Sequence, residues 1–403
     1  MSIEEKLLLK MASLFYFVQA LAGIFLTVFL FKLGGFKAVI TYGLVSLIFL
    51  FISYILSGYL LKKFSNVDLI RFGFLFLAVL YFLLFMFREQ SINFLFILGM
   101  LNGIGNGNFW AGNNLTQYIA TKEYSRTNYF GRLNFLTNLG SASGPILGGG
   151  IIYLFETLKF KDTGYIALFL IVSLLLFYLF FFAGKLPKHE DIKFSVASIF
   201  KHKANASWVI VLTQQFLYGL FDTAFAAFSA VLIFLIVRQQ EFILGTVNTI
   251  SAVAYAIASL GAIYILNRHK NGYLPGMVLS AFGLWLFGLQ QNWLGILGLI
   301  FINNTFLPLL NITTSKTIYD VIDKDKNSWQ KKYHYLVERD SILGLGRIIN
   351  YIILLVFLNT ANEIQIAKTW ILIVPILPIL IGILQWCQFK LINDAPDVNQ
   401  KAH

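Results

Sequence analysis

A chain of 403 residues with 58% apolar and only 12% charged residues lacks the surface of a water-soluble protein, in which about a quarter of residues are charged. Its net charge of +12 falls in short basic clusters between apolar runs, which excludes a nucleic-acid-binding stripe and fits loops obeying the positive-inside bias. A single cysteine, Cys387, excludes a disulfide framework.

Uncharged stretches mark the spans, since about 20 apolar residues cross a ~30 Å hydrocarbon core. In chain order they are 11–31, 38–61, 72–87, 90–121, 133–155 and 163–184. A polar segment follows, and then 204–237, 242–267, 271–315, 348–362 and 369–389. The run 271–315 is too long for one helix and is expected to break at Gln290-Gln291-Asn292. That makes twelve spans, with the third and eleventh short enough to need flanking polar residues. The first run is long enough to span and lacks a small-residue cleavage site, so no cleaved leader is expected.

An even number of spans puts both termini on one side. On that side fall 24 of the 31 Lys and Arg, against seven opposite, so cytoplasmic termini in a cytoplasmic membrane are expected. The longest polar segment lies mid-chain. The expected organisation is a six-helix bundle over 1–184, a linker over 185–205, a second bundle over 206–390 and a tail over 391–403. An internal repeat supports the halving. Glu123 precedes Gly131-Arg132-Leu133 before the fifth span, and Glu338 precedes Gly346-Arg347-Ile348 before the eleventh, at the same spacing.

The fold class is therefore all-α and polytopic. In layout it resembles the major facilitator superfamily, and the resemblance covers essentially the whole chain. The fifth span reads GSASGPILGGG, similar to the family's antiporter motif at Gly140, Gly144, Pro145, Gly148 and Gly149. Small residues let helices approach closely and Pro bends them, so the same residues also read as a packing face. Gly58, Leu60, Lys63 and Arg71 partly match the family's gate motif, with Lys62 standing where the family has Asp. Asn102-Gly103-Ile104-Gly105 is similar to the family's fourth-helix motif, but Gly99 stands where proton-linked members place an Arg.

Polar groups inside spans are costly unless they pair or face a wet cavity. At 100° per residue, Asn102, Asn106, Trp110, Asn113 and Gln117 share one face of the fourth span. Tyr16 and Gln19 lie on the first, Gln215, Tyr218 and Asp222 on the seventh, and Asn248, Ser251 and Tyr255 on the eighth. Asn303, Asn311 and Thr314 share a face of the tenth. These read as lining a substrate cavity, the alternative being hydrogen bonds that tie the bundle together.

Asp222 is the one acid well inside a span, and Lys316 the nearest cation by type; without a close partner, Asp222 suits reversible protonation in a transport cycle. Lys63, Glu123, Arg132, Glu338 and Arg347 are expected as gate charges at the cytoplasmic level. Asp320, Asp323 and Asp325 alternate with lysines and read as a solvated loop rather than a metal site.

These observations point to a secondary transporter, not an enzyme, with no cofactor or metal and no nucleotide motif. Its expected partners are a small-molecule substrate, protons as coupling ion and the lipid bilayer, with no nucleic acid, and it is expected to be a monomer. The antiporter-like motif leans towards export of an amphipathic compound. The amide-rich faces support the alternative, uptake of a neutral polar nutrient such as a sugar or nucleoside. A membrane-embedded lipid-modifying enzyme would want a cluster of His or Asp at one membrane face, which five scattered His do not form; a lipid flippase of another fold and a sensor without flux are further alternatives.

Overall fold

A computed structural model describes residues 2–120, 123–158, 163–188, 205–269, 271–323, 329–359 and 362–393. Among them no strand occurs. In chain order the helices are α1 (Ile3–Leu60), α2 (Asn66–Phe87), α3 (Leu95–Ala120), α4 (Glu123–Thr157), α5 (Thr163–Ala183), α6 (Ala206–Ile236), α7 (Glu241–Arg268) and α8 (Tyr273–Gln290). They continue as α9 (Trp293–Gly298), α10 (Asn304–Asp323), α11 (Trp329–Leu358), α12 (Glu363–Ile373) and α13 (Ile376–Asn393). A 3-10 turn, Arg88–Phe94, links α2 to α3, and a π-helical turn, Leu299–Asn303, links α9 to α10.

The turns follow local chemistry. α1 is two limbs joined by a bend where Gly34 (φ −155°, ψ 26°) and Gly35 (φ 67°, ψ −165°) leave helical geometry. Gly35 sits at a positive φ that side chains with a Cβ resist. Ser65 and Asp68 form a capping box that restarts the chain as α2. Asn205, Asn292 and Asn362 each accept backbone N–H groups at a helix start. The expected break at 290–292 is present: Gln291 is left-handed (φ 42°) and Asn292 caps α9.

Nine stretches among the described residues are apolar and long enough to cross a membrane. Two of them, Ile3–Leu60 with 58 residues and Asn66–Gln117 with 52, exceed one bilayer at 1.5 Å per residue. The short third span indeed recruits flanking residues, since α2 starts six residues upstream of Phe72. Large apolar side chains such as Phe135, Phe181, Leu260 and Leu289 are exposed, which is tolerable only against lipid. The chain is a multi-pass membrane protein.

Helices up to Ala183 pack among themselves, α1 on α3 and α4, and α2 on α3 and α5. Those from Ala206 do likewise, α6 on α11 and α13, and α10 on α7 and α8. Between the two sets, α4 lies along α7, and α1 meets α11 and α6. Most of the expected linker, 189–204, lies outside the described residues, as do residues 394–403 of the tail.

Glycines make the close crossings possible. A Cβ on Gly144 would lie 2.7 Å from the Leu21 nitrogen of α1, and one on Gly140 2.9 Å from the Ser13 carbonyl. Gly148 backs onto Leu21 and Phe25, while Gly149 and Pro145 abut Glu241 and Gly245 of α7. Thr249 of α7 donates to the Ala142 carbonyl at 2.7 Å, beside the turn that Pro145 loosens. On α3, Gly103 and Gly107 meet the second limb of α1, and Gly105 meets α2.

Candidate functional site

The centre of the site is an ion pair. Asp222 of α6 and Arg347 of α11 are bound bidentately: Arg347 Nε donates to both Asp222 oxygens at 3.1 Å, and its Nη2 donates to Oδ2. The side chains are 18% and 21% exposed, half-buried at a depth where a lone charge is costly. This corrects the expectation that Asp222 lacks a close cation. Lys316 is exposed and is not the partner. It also sets Arg347 on Asp222 rather than with Glu338, which accepts from the indole of Trp208 at 2.8 Å.

The signal for the pair was the short eleventh span. Drawing spans at charges places an intramembrane Arg outside by construction. α11 runs from Trp329, so Arg347 stands within it. The close approach has a local cause: Gly219 of α6 packs on Leu343 and Gly346 of α11, and bare backbone there brings Asp222 and Arg347 into register.

Tyrosines and amides surround the pair. Tyr218, one turn before Asp222, lies near Asp222, Tyr255 and Arg347. Asn311 of α10 donates to the Tyr255 hydroxyl at 3.2 Å. Asn304 donates to the Ser251 carbonyl of α7 at 3.4 Å, and Asn303 to Asn304 at 2.9 Å. The π-helical turn just before Asn304 supplies the extra residue that rotates this pair of amides. Asn303 is buried with its Oδ1 unpaired. Tyr351, one turn beyond Arg347, abuts Gly43 on the second limb of α1. Asn248 stands apart, donating to the Leu244 carbonyl of its own helix.

On α3 the expected stripe divides. Asn102 donates to Ser46 of α1 at 2.7 Å, and Asn106 to Asn102 at 3.0 Å. Asn113 is buried with an unpaired Oδ1. Trp110 meets Tyr16 edge to face, with centroids 6.1 Å apart. Gln19 and Gln215 are half-buried. Asn108, bonded to Ser53, and Asn66, bonded to Thr116, tie helices together and were not anticipated. Nor was the link of α6, α13 and α10 through Gln214, Gln385 and Thr317.

Of the remaining gate residues, Lys63 is exposed in the turn after α1, and Arg132 is exposed on α4, beside Lys6 and Lys10. The side chain of Glu123, and those of Asp323 and Asp325, lie outside the described residues. No group of His, Cys, Asp and Glu suited to a metal occurs among the described residues.

Comparisons with known proteins agree with this architecture. A protein of Bacillus subtilis (strain 168), named as uncharacterized protein YqgE, is 28% identical over 364 residues, covering 88% of this chain and 83% of its own. The crystal structure of the E. coli fucose:proton symporter FucP superposes with a TM-score of 0.66 at 16% identity, covering 96% of this chain and 98% of that one. The nucleoside transporter NupG gives a TM-score of 0.66 at 15% identity, covering 96% and 100%. At such identities the likeness shows the fold. The sequence profile of the Major Facilitator Superfamily matches residues 8–328. The chain belongs to the Major Facilitator Superfamily, a family of transporters and not of enzymes.

Proposed function

We propose that this protein is a proton-coupled secondary transporter of a neutral polar solute bearing a ring. It works by alternating access between two six-helix halves, 1–184 and 206–390, with twelve crossings in all and both termini cytoplasmic. The observation that carries this reading is the Asp222–Arg347 pair, set among Tyr218, Tyr255 and Asn311. A proton arriving at Asp222 competes with Arg347 for the carboxylate and frees the guanidinium. Two charge states of one pair then correspond to two arrangements of α6 and α11.

In the other proposed half, Trp110 and Tyr16 supply aromatic rings, and Asn102, Asn106 and Gln19 supply amides of a kind that suits hydroxyls and heterocyclic nitrogens. FucP and NupG carry by title a sugar and a nucleoside, two solutes of this chemical kind. The glycines at 140–149 are fully occupied in packing, so they lend no weight to export.

The test is transport in proteoliposomes. Radiolabelled sugars and nucleosides are screened for counterflow and for accumulation driven by a pH gradient, with vesicle orientation reporting direction. Asp222→Asn is expected to keep counterflow and lose gradient-driven accumulation. Undiminished accumulation by that variant overturns the coupling role, and absence of flux for all solutes overturns the substrate class.

A further inference from the structure

Two acids at the starts of α7 and α12 close on the same bend of α1. Glu241, the first residue of α7, is only 5% exposed and pairs with Lys32 at the end of the first limb. The Tyr165 hydroxyl of α5 donates to the same carboxylate oxygen at 3.1 Å. The Lys32 ammonium also lies over the rings of Tyr165 and Phe234, 5.1 and 5.3 Å from their centroids. Just past the Gly34–Gly35 bend, Glu363 accepts the Phe36 backbone N–H at 2.7 Å. The elbow of one proposed half is thus held by two carboxylates of the other, on the face opposite the termini.

The two partners of Glu241 are unlike. Tyr165 is buried, whereas Lys32 is 37% exposed and can swing into water. Neutralising the carboxylate therefore removes the attraction without stranding a buried cation, which is the usual penalty for breaking such a pair. The other charged groups near the elbow on the elements packed here, among the described residues, are Lys37 past the bend of α1, Arg88 and Glu89 in the turn before α3, Glu156 near the end of α4, Arg238 in the turn before α7 and Lys368 on α12.

We propose that Glu241 is a second proton-binding group, one that latches the two halves together at the elbow face when ionised and releases them when protonated. It rests on the two-half reading but not on any identified solute. The latch gives the transporter a carboxylate that senses protons on one side of the membrane, separate from Asp222 in the interior.

The experiment measures distance across the elbow face in the full chain. Gln90→Cys, in the turn after α2, and Gln290→Cys, at the end of α8, both exposed and on this face, are spin-labelled in a Cys387→Ser background. Distance distributions are recorded in lipid nanodiscs in mildly alkaline and mildly acidic buffer. Acidification of the parent is expected to raise the long-distance population relative to the short one by about tenfold, the effect of one charge-assisted contact. Glu241→Gln shows the long population at both pH values, and Lys32→Gln, altered at an exposed position, does the same. Glu241→Asp keeps the pH response.

A short-distance distribution for Glu241→Gln in alkaline buffer overturns the latch. An undiminished pH response in Glu241→Gln overturns its proton role. Absence of solute flux with the distance shift intact sinks the transporter reading alone.

Discussion

Asp222 and Arg347 show what a membrane interior demands of a charged residue. Each carries a charge that hydrocarbon would reject, and each is acceptable because the other neutralises it at hydrogen-bond distance. Loss of one partner is therefore worse than loss of both. Asp222→Asn and Arg347→Gln singly are expected to destabilise the fold by roughly 3 kcal/mol, and the double variant by less than either. Thermal unfolding in detergent across the double-mutant cycle checks this, and additive losses would refute the coupling. Reading residues alone could identify Asp222 as exceptional but assigned it no partner. Uncharged runs delimited the spans, so Arg347 was placed at a membrane edge by the same rule that made the rest of the map legible.

At the scale of elements, glycine sets which helices meet. The reading of 140–149 as a packing face is what the geometry shows: α4 sits between α1 on one side and α7 on the other. Gly144→Val should therefore cost on the order of 1–3 kcal/mol through overpacking against Ala20 and Leu21. Gly150→Ala, with nothing within 4 Å of the added carbon, should be neutral or stabilising by about 0.5–1 kcal/mol from helix propensity. The bend in α1 makes a separate prediction. Gly35 has φ 67° and its missing Cβ would press on Glu363, so Gly35→Ala is expected to lose about 1–2 kcal/mol. Melting temperatures of the three variants in one detergent rank them. The amide stripe on α3 taught the opposite lesson about elements. Helical spacing placed Asn102 and Asn106 on one face correctly, yet Ser46 of α1 takes one of them, and periodicity cannot say whether a face meets water or another helix.

At the scale of the whole molecule, the two proposed halves touch, among the described residues, near both ends of the bundle. At the elbow face the contacts are both polar, through Glu241 and Glu363, and apolar, through Phe36 against Phe228; towards the termini Val337 of α11 joins an apolar cluster with Tyr54, Leu61 and Leu115. The proposed topology predicts that single cysteines at Glu4 and at Lys390, in a Cys387→Ser background, react with impermeant maleimide from the same side of sealed vesicles. Labelling from opposite sides would contradict it.

Composition and the placement of charge determined the membrane solvent, the helical class and the order of spans, because lipid penalises every unpaired backbone group and every stray charge wherever they occur along the chain. The family resemblance was likewise legible, in layout and in the glycine motif. Only the tertiary structure decided which charges pair. Asp222 finds Arg347 125 residues away, and Lys32 finds Glu241 at a separation of 209. Such partners are chosen by helix crossings, and those depend on where bare backbone lets two helices touch.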